Sequence, residues 1–261
     1  MVIRMKKLLV ILLAAASIVS CAKPEVRLNA EESMQKGLAL FQKKNYDEAI
    51  PLFENSIMEA QTPDIASKAQ LFLADSYFLS KKYPEAIPAY QQYLDIYGSS
   101  EDANLAMLRM GLSHYALMDK VDRDMGAAEG ALRSFTTLRE KDPAFAKEHD
   151  LTKKIVELRN MLAKRELMVA EFYIRIKEPQ AGLKRLDFII ERYKDTESYE
   201  DALYDYGKYY ADIEGKENDA LRYFNQLMKE NPETKYAKDV AKQLVALLDR
   251  VQKRLDKKGA K

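Results

Sequence analysis

Small, apolar and charged positions recur along this chain at helical rather than strand spacing. The stretch "GLALFQKKNYDEAIPLF" (37–53) is matched without a gap by "ADSYFLSKKYPEAIPAY" (74–90), 37 residues further on. Gly37 aligns with Ala74, Tyr46 with Tyr83, Ala49 with Ala86 and Phe53 with Tyr90. In each second half a small residue is followed four positions later by an aromatic one, a spacing that puts both on one helix face. Fainter copies appear at Ala131/Phe135, Gly182/Leu186 and Ala220/Phe224, with Pro143 and Pro232 eight residues beyond two of them. Their first helices carry the small residues Gly111, Ala170 and Gly207. Each copy therefore predicts a pair of helices that approach closely at small residues, while the large side chain fills the gap toward the next pair.

The pattern resembles the tetratricopeptide repeat, a helix–turn–helix unit that cannot bury its apolar face alone and needs at least three stacked copies. The expected fold is all-α: a right-handed superhelical solenoid of about five repeats over residues 30–63, 67–99, 103–143, 163–196 and 200–233, followed by a C-terminal capping helix. Spacing within the third repeat is longer, because 20 residues separate Gly111 from Ala131 where 12 separate Gly37 from Ala49. The Asp and Gly content of "LMDKVDRDMGAAEG" assigns the excess to an inter-helical loop. Residues 146–175 read as one long linking helix, and Val240, Leu244, Leu247, Leu248 and Val251 mark the apolar stripe of the cap. The chain then divides into 1–20, 21–29, repeats 1–3 over 30–143, and 144–258 with the linking helix, repeats 4–5 and the cap.

Composition agrees with helix: 32% of residues are charged with both signs interspersed, and glycine (9) and proline (8) are scarce. The single cysteine excludes an intrachain disulfide, so compartment must be read from the N-terminus. There Arg4, Lys6 and Lys7 precede an apolar run from Leu8 to Ile18, too short to span a bilayer comfortably, which reads as a secretory signal over residues 1–20. Its end, "IVSC", resembles the lipobox of bacterial lipoproteins. That resemblance implies cleavage before Cys21, an S-diacylglycerol on its sulfur and an acyl group on its new amine. Residues 21–29 would then form a short lipidated stalk. Two or three chains anchor stably, since each buried methylene contributes ~0.8 kcal/mol. Removing residues 1–20 takes away three basic and no acidic groups, which turns the formal charge of +1 into −2. No basic field is left to favour nucleic acid.

Catalytic chemistry has no foothold in the sequence. His114 and His149 lack any metal-ligand spacing, so no metal is expected, and His149 reads as solvated. Asp122 and Asp124 sit in the predicted loop, where aspartate serves as turn former or cap. No phosphate-cradling or nucleophile-elbow motif occurs. The reading is a binding protein and not an enzyme, with no cofactor beyond the lipid on Cys21 and no small-molecule substrate.

In tetratricopeptide repeats the first-helix residue four past the small one faces the concave groove. Here that residue is Phe41, Phe78 and Tyr115, and the same-face neighbours are Leu38, Asp75 and Leu112. Repeats 4 and 5 place Ile174 and Ala211 there instead. The three rings either line a peptide groove or pack under the neighbouring helix. An exposed ladder would suit an extended peptide with alternating apolar side chains, the pattern of a transmembrane β-strand.

A lipobox followed directly by five repeats, with "VDRD" before "ALRSFTTL", the run "LAKRELMVAEFY" and "GLKRLDFIIERYKDTESYEDAL", is similar to the BamD (YfiO/ComL) family of outer-membrane assembly lipoproteins. Departures are Tyr97-Gly98 and Tyr193-Lys194, where that family usually has Tyr-Pro, and a shorter third loop. The resemblance implies an adaptor at the periplasmic face of the outer membrane, lipid-anchored in it. Its C-terminal repeats would dock a POTRA domain of BamA beside other Bam lipoproteins, with Arg185 at the contact, and its N-terminal repeats would receive targeting strands of unfolded barrel proteins. The alternatives are another repeat lipoprotein of the envelope, either a secretin pilotin or a relative of the Tol–Pal partner CpoB.

Overall fold

The computed structural model describes residues 28–118 and 125–259. The described residues form twelve α-helices and no β-strand. They fall into two compact units, one ending at Ser76 and one beginning at Tyr77. Asp122 and Asp124 of the predicted loop, the signal segment and Cys21 lie outside the described residues.

The first unit holds α1 (Ala30–Gln42), α2 (Tyr46–Glu59) and most of α3 (Pro63–Leu79). Helix α1 starts in a capping box: Asn29 Oδ1 accepts from the Glu32 N–H at 2.8 Å, and Glu32 Oε2 accepts from the Asn29 N–H at 3.2 Å. Two hydrogen bonds then close its end, Asn45 N–H to the Leu40 carbonyl and Lys44 N–H to that of Phe41, with Lys44 in the left-handed region at φ +64°. That is a Schellman turn. The chain reverses, and α2 lays Phe53 against α1 where a Cβ on Gly37 would stand 2.7 Å from the ring. Only glycine permits that approach.

The second unit contains the end of α3, then α4 (Tyr83–Tyr97), α5 (Ala103–Leu117), α6 (Gly126–Lys141), α7 (Pro143–Glu148), α8 (Leu151–Arg175), α9 (Pro179–Arg192), α10 (Glu197–Ala211), α11 (Glu217–Glu230) and α12 (Ala237–Gly259). The Schellman turn recurs with Lys81 between α3 and α4 (φ +61°) and Lys177 between α8 and α9 (φ +66°). Phe135 on α6 closes over Gly111, and Phe224 on α11 over Gly207. Leu186 fills the corresponding place in the fourth pair, and all three side chains are fully buried. The small-then-large rule read from the sequence is thus the rule of the core.

Four expectations need correction. The linking helix does not run through 146–175. Asp142 Oδ1 caps a separate short helix, α7, by accepting from Phe145 N–H at 3.0 Å, and the chain then turns at Asp150, whose φ is +53°, before α8 begins. His149 closes that turn half-buried against the Phe145 ring, 4.4 Å between centroids, and is not simply solvated. In the third repeat the glycine-rich run does not stay in the loop, because α6 begins at Gly126. Gly130 is needed inside that helix, where a Cβ would meet the His114 ring at 2.5 Å. Finally, Leu248 leaves the stripe of α12. Val240 and Leu247 are buried, but Leu248, one residue round the helix, is 57% exposed.

Tyrosine hydroxyls fasten the last helices together. Tyr199 donates to Glu230 at 2.7 Å, Tyr204 to Asp239 at 2.7 Å, Tyr206 to Asp187 at 2.6 Å and Tyr236 to Asp201 at 2.6 Å. The Tyr204 and Tyr236 rings stack at 3.9 Å. Burial and these carboxylates raise the Tyr199 and Tyr204 phenols to about 12, so the hydroxyls stay protonated donors. Helix α12 is pinned further by Arg250, which donates to the Ala211 carbonyl at 2.8 Å, and by a two-pronged pair from Arg254 to the buried Glu217. That pair, aided by backbone donors, holds the Glu217 carboxyl down at about 2.

Candidate functional site

The three first-helix rings occupy equivalent settings in their own repeats. Each packs on the second-helix aromatic of its pair at a centroid distance of 6.4 Å: Phe41 on Phe53, Phe78 on Tyr90 and Tyr115 on Phe135. All three are half-buried, so each has one flank in the repeat and one outside it.

In the first unit Phe41 belongs to a four-ring cluster, with Phe72 at 5.1 Å and Tyr46 at 5.2 Å, both edge-on. Leu38 is half-buried one turn before it on α1, whereas Asp75 on α3 is only 6% exposed. In the second unit Phe78 also meets Tyr83 edge-on at 5.9 Å. Leu112 is half-buried on α5, one turn before Tyr115. Helix α8 engages that last ring: the Tyr115 hydroxyl donates to Glu157 Oε1 at 2.9 Å, and the Lys154 ammonium lies 5.4 Å from its centre. The rings are therefore partly core and partly surface, which neither sequence alternative alone describes.

Arg185 stands exposed on α9 and donates to Glu166 Oε2 on α8 at 2.9 Å. A partner carboxylate would have to compete with Glu166 for it. Nearby, Arg159 on α8 grips the turn before α10, donating to both Asp195 oxygens and to the Arg192 carbonyl while lying over the Tyr193 ring at 5.1 Å. This clamp holds Asp195 well below the usual carboxylate range. Burial, with Arg133 adding to it, lowers the His114 imidazole, so that ring packs neutral at neutral pH.

One site was missed in the sequence. A cavity of about 410 Å³ opens between α8 and α10, lined by Glu171, Ile174, Arg175, Asp205, Lys208, Tyr209, Asp212 and Ile213. Burial first, then Glu171 and Asp201, raise the Asp205 carboxyl to about 7 against the opposing pull of Lys235 and Lys208. The available signal was positional: Glu171 and Lys208 follow the small residues Ala170 and Gly207, as Leu38 follows Gly37. Among the described residues, no group of three or more His, Cys, Asp or Glu is placed to hold a metal ion, and no helix is long and apolar enough to cross a membrane.

Comparison with known proteins places these features in a family. The profile of YfiO, an outer membrane lipoprotein, matches residues 27–214, and a tetratricopeptide-repeat profile matches 201–234. The outer membrane protein assembly factor BamD of Rickettsia prowazekii is 27% identical over 201 residues, covering 77% of this chain and 80% of the relative. That of Caulobacter vibrioides is 23% identical over 224 residues, covering 82% and 73%. Among solved structures, a tetratricopeptide protein of Thermus thermophilus aligns over 84% of this chain and 98% of its own, at 16% identity and a TM-score of 0.36.

Proposed function

The chain belongs to the YfiO family of outer membrane lipoproteins, and from that premise we propose that it is a lipid-anchored adaptor of outer-membrane β-barrel assembly. The observation that carries the reading is the family match over 27–214, in agreement with assembly factors of the BamD type in several bacteria.

In this reading Cys21 carries the lipids and holds the chain at the periplasmic face of the outer membrane. The C-terminal repeats dock a POTRA domain of a BamA partner, with Arg185 exchanging Glu166 for a partner carboxylate. Such an exchange gives up one surface ion pair, between exposed Arg185 and half-buried Glu166, for another, and surface pairs contribute only ~0–1 kcal/mol. Other Bam lipoproteins complete the assembly. The N-terminal repeats receive the targeting strands of unfolded barrel proteins on the outer flanks of Phe41, Phe78 and Tyr115, beside Leu38, Asp75 and Leu112. Half-buried rings suit this task, because they are already held in place and lose little freedom when a peptide covers them. No catalytic role is part of the reading.

The test is binding of a fluorescent peptide with the sequence of a C-terminal barrel strand. Phe41→Ala and Phe78→Ala, each with native far-UV circular dichroism, are expected to weaken binding about tenfold, or ~1.4 kcal/mol. Unchanged affinity in the folded variants would return both rings to the core and remove the N-terminal repeats from client recognition.

A further inference from the structure

The cavity between α8 and α10 is built from the repeat positions that form the aromatic ladder earlier in the chain, but with different chemistry. Where repeats 1–3 place Phe41, Phe78 and Tyr115, the fourth repeat has Ile174, and the positions next to the small residues carry Glu171 and Lys208. The lining is therefore two-sided. Ile174, Tyr209 and Ile213 are its apolar part, and Glu171, Asp205 and Asp212 bring three carboxylates against the two cations Arg175 and Lys208.

Asp205 is the informative group. The cations around it are engaged elsewhere: Lys235 pairs with Asp201 at 2.5 Å, the Lys208 ammonium lies over the Tyr204 ring at 6.0 Å, and the Arg175 guanidinium lies over Phe172 at 5.8 Å. Among the described residues Asp205 has no direct ion pair, and the longer-range pull of Lys235 and Lys208 does not offset burial and the Glu171 and Asp201 carboxylates, so its charged form is disfavoured. A ligand that delivers one positive charge relieves the penalty on arrival. A bare metal ion does not fit, because it would need more oxygen ligands and would gain nothing from the isoleucines. A long aliphatic stem ending in a charged head uses both sides of the cavity, and the Tyr209 ring adds a favourable face for the cation.

We infer that this cavity is a socket for one lysine or arginine side chain presented by a partner protein, its stem lying on Ile174, Tyr209 and Ile213 and its head meeting Asp205 and Glu171. The socket lies on the repeats that the reading above gives to a POTRA partner, but it is a site distinct from Arg185 and its test does not depend on that partner's identity. It predicts that a protein bound along repeats 4 and 5 inserts a basic residue at this point.

The experiment is an NMR titration of the full chain in detergent, observing the Asp205 ¹³Cγ and the methyls of Ile174 and Ile213. The probes are acetyl-Gly-Lys-Gly-amide, acetyl-Gly-Arg-Gly-amide, the norleucine peptide of the same length, magnesium chloride and spermidine. The lysine and arginine peptides are expected to shift all three residues saturably, and the neutral norleucine peptide to bind at least tenfold more weakly. Asp205→Asn should abolish saturation while leaving distant methyls unmoved. Should that variant not fold, Glu171→Gln, on the exposed rim, is expected to weaken binding about threefold. Equal binding of the norleucine peptide, linear shifts without saturation, or saturation that survives Asp205→Asn would overturn the inference. Displacement by magnesium would overturn it in favour of a simple ion site. Tighter binding of spermidine than of either peptide would overturn it in favour of a free polyamine.

Discussion

Replacing Gly207 by alanine tests the packing rule that builds every repeat. A Cβ at this position would stand 2.3 Å from Phe224 Cε1, 2.5 Å from Cδ1 and 2.8 Å from Cζ. Carbon atoms in contact prefer about 3.5–4.0 Å, so the ring or the helix must yield by more than 1 Å. Phe224 has no room to yield, being fully buried and flanked by the Tyr204 ring at 6.2 Å. Overpacking of this kind costs ~1–3 kcal/mol, and three contacts with one rigid ring place this case at the upper end. Against it stands the better helix propensity of alanine, ~1 kcal/mol. The expected net loss is ~2 kcal/mol, read as a lower urea midpoint by far-UV circular dichroism. Phe224→Leu, which removes the ring edge, should cost less in the Gly207→Ala background than alone, with a coupling of about 1 kcal/mol or more. A midpoint that is unchanged or raised by Gly207→Ala, or strict additivity of the two substitutions, would refute the close-approach account.

Two further expectations concern the turns and the cap. Lys44, Lys81 and Lys177 hold left-handed conformations that a Cβ disfavours, so glycine at any of them should raise stability by ~0.5–1 kcal/mol, seen as a higher urea midpoint. Glu217 is held at about 2 in the folded chain against an ordinary value of 4.5. A lowered folded pKa stabilises above the unfolded value, so the contribution is complete at neutral pH and is lost as pH falls from about 4.5 toward 2. Glu217→Gln should flatten that part of the acid-unfolding profile, and hydrogen exchange should show faster amide exchange in α12 than elsewhere.

The repeat framework was legible because close packing leaves a mark on composition. Gly37, Gly111 and Gly207 are small for a steric reason, and Phe53, Phe135 and Phe224 are large for the complementary one. Breaks carried by ordinary residues were hidden. Asp150 turns the chain with no glycine or proline at the turn itself, and Gly126 and Gly130 lie inside a helix, so residue type misled in both directions. Leu248 was misplaced because apolar content alone does not say how wide a buried stripe is. The aromatic ladder was half legible: spacing located Phe41, Phe78 and Tyr115, while their contacts with Phe53, Tyr90 and Phe135 depend on how far each second helix leans in. The cavity at Asp205 left only a positional trace, Glu171 and Lys208 beside the small residues Ala170 and Gly207. Its walls come from two helices about 35 residues apart, and only their packing shows that the carboxylate lacks a direct ion pair.

The most direct measurement of the account is affinity capture of the chain, tagged at its C-terminus, from its own detergent-solubilised envelope, followed by identification of the retained proteins. A BamA-type barrel protein with POTRA domains should be retained in near-stoichiometric amount, and less of it with Arg185→Glu. Capture that returns the folded, membrane-associated chain without any such partner would contradict the assignment to barrel assembly.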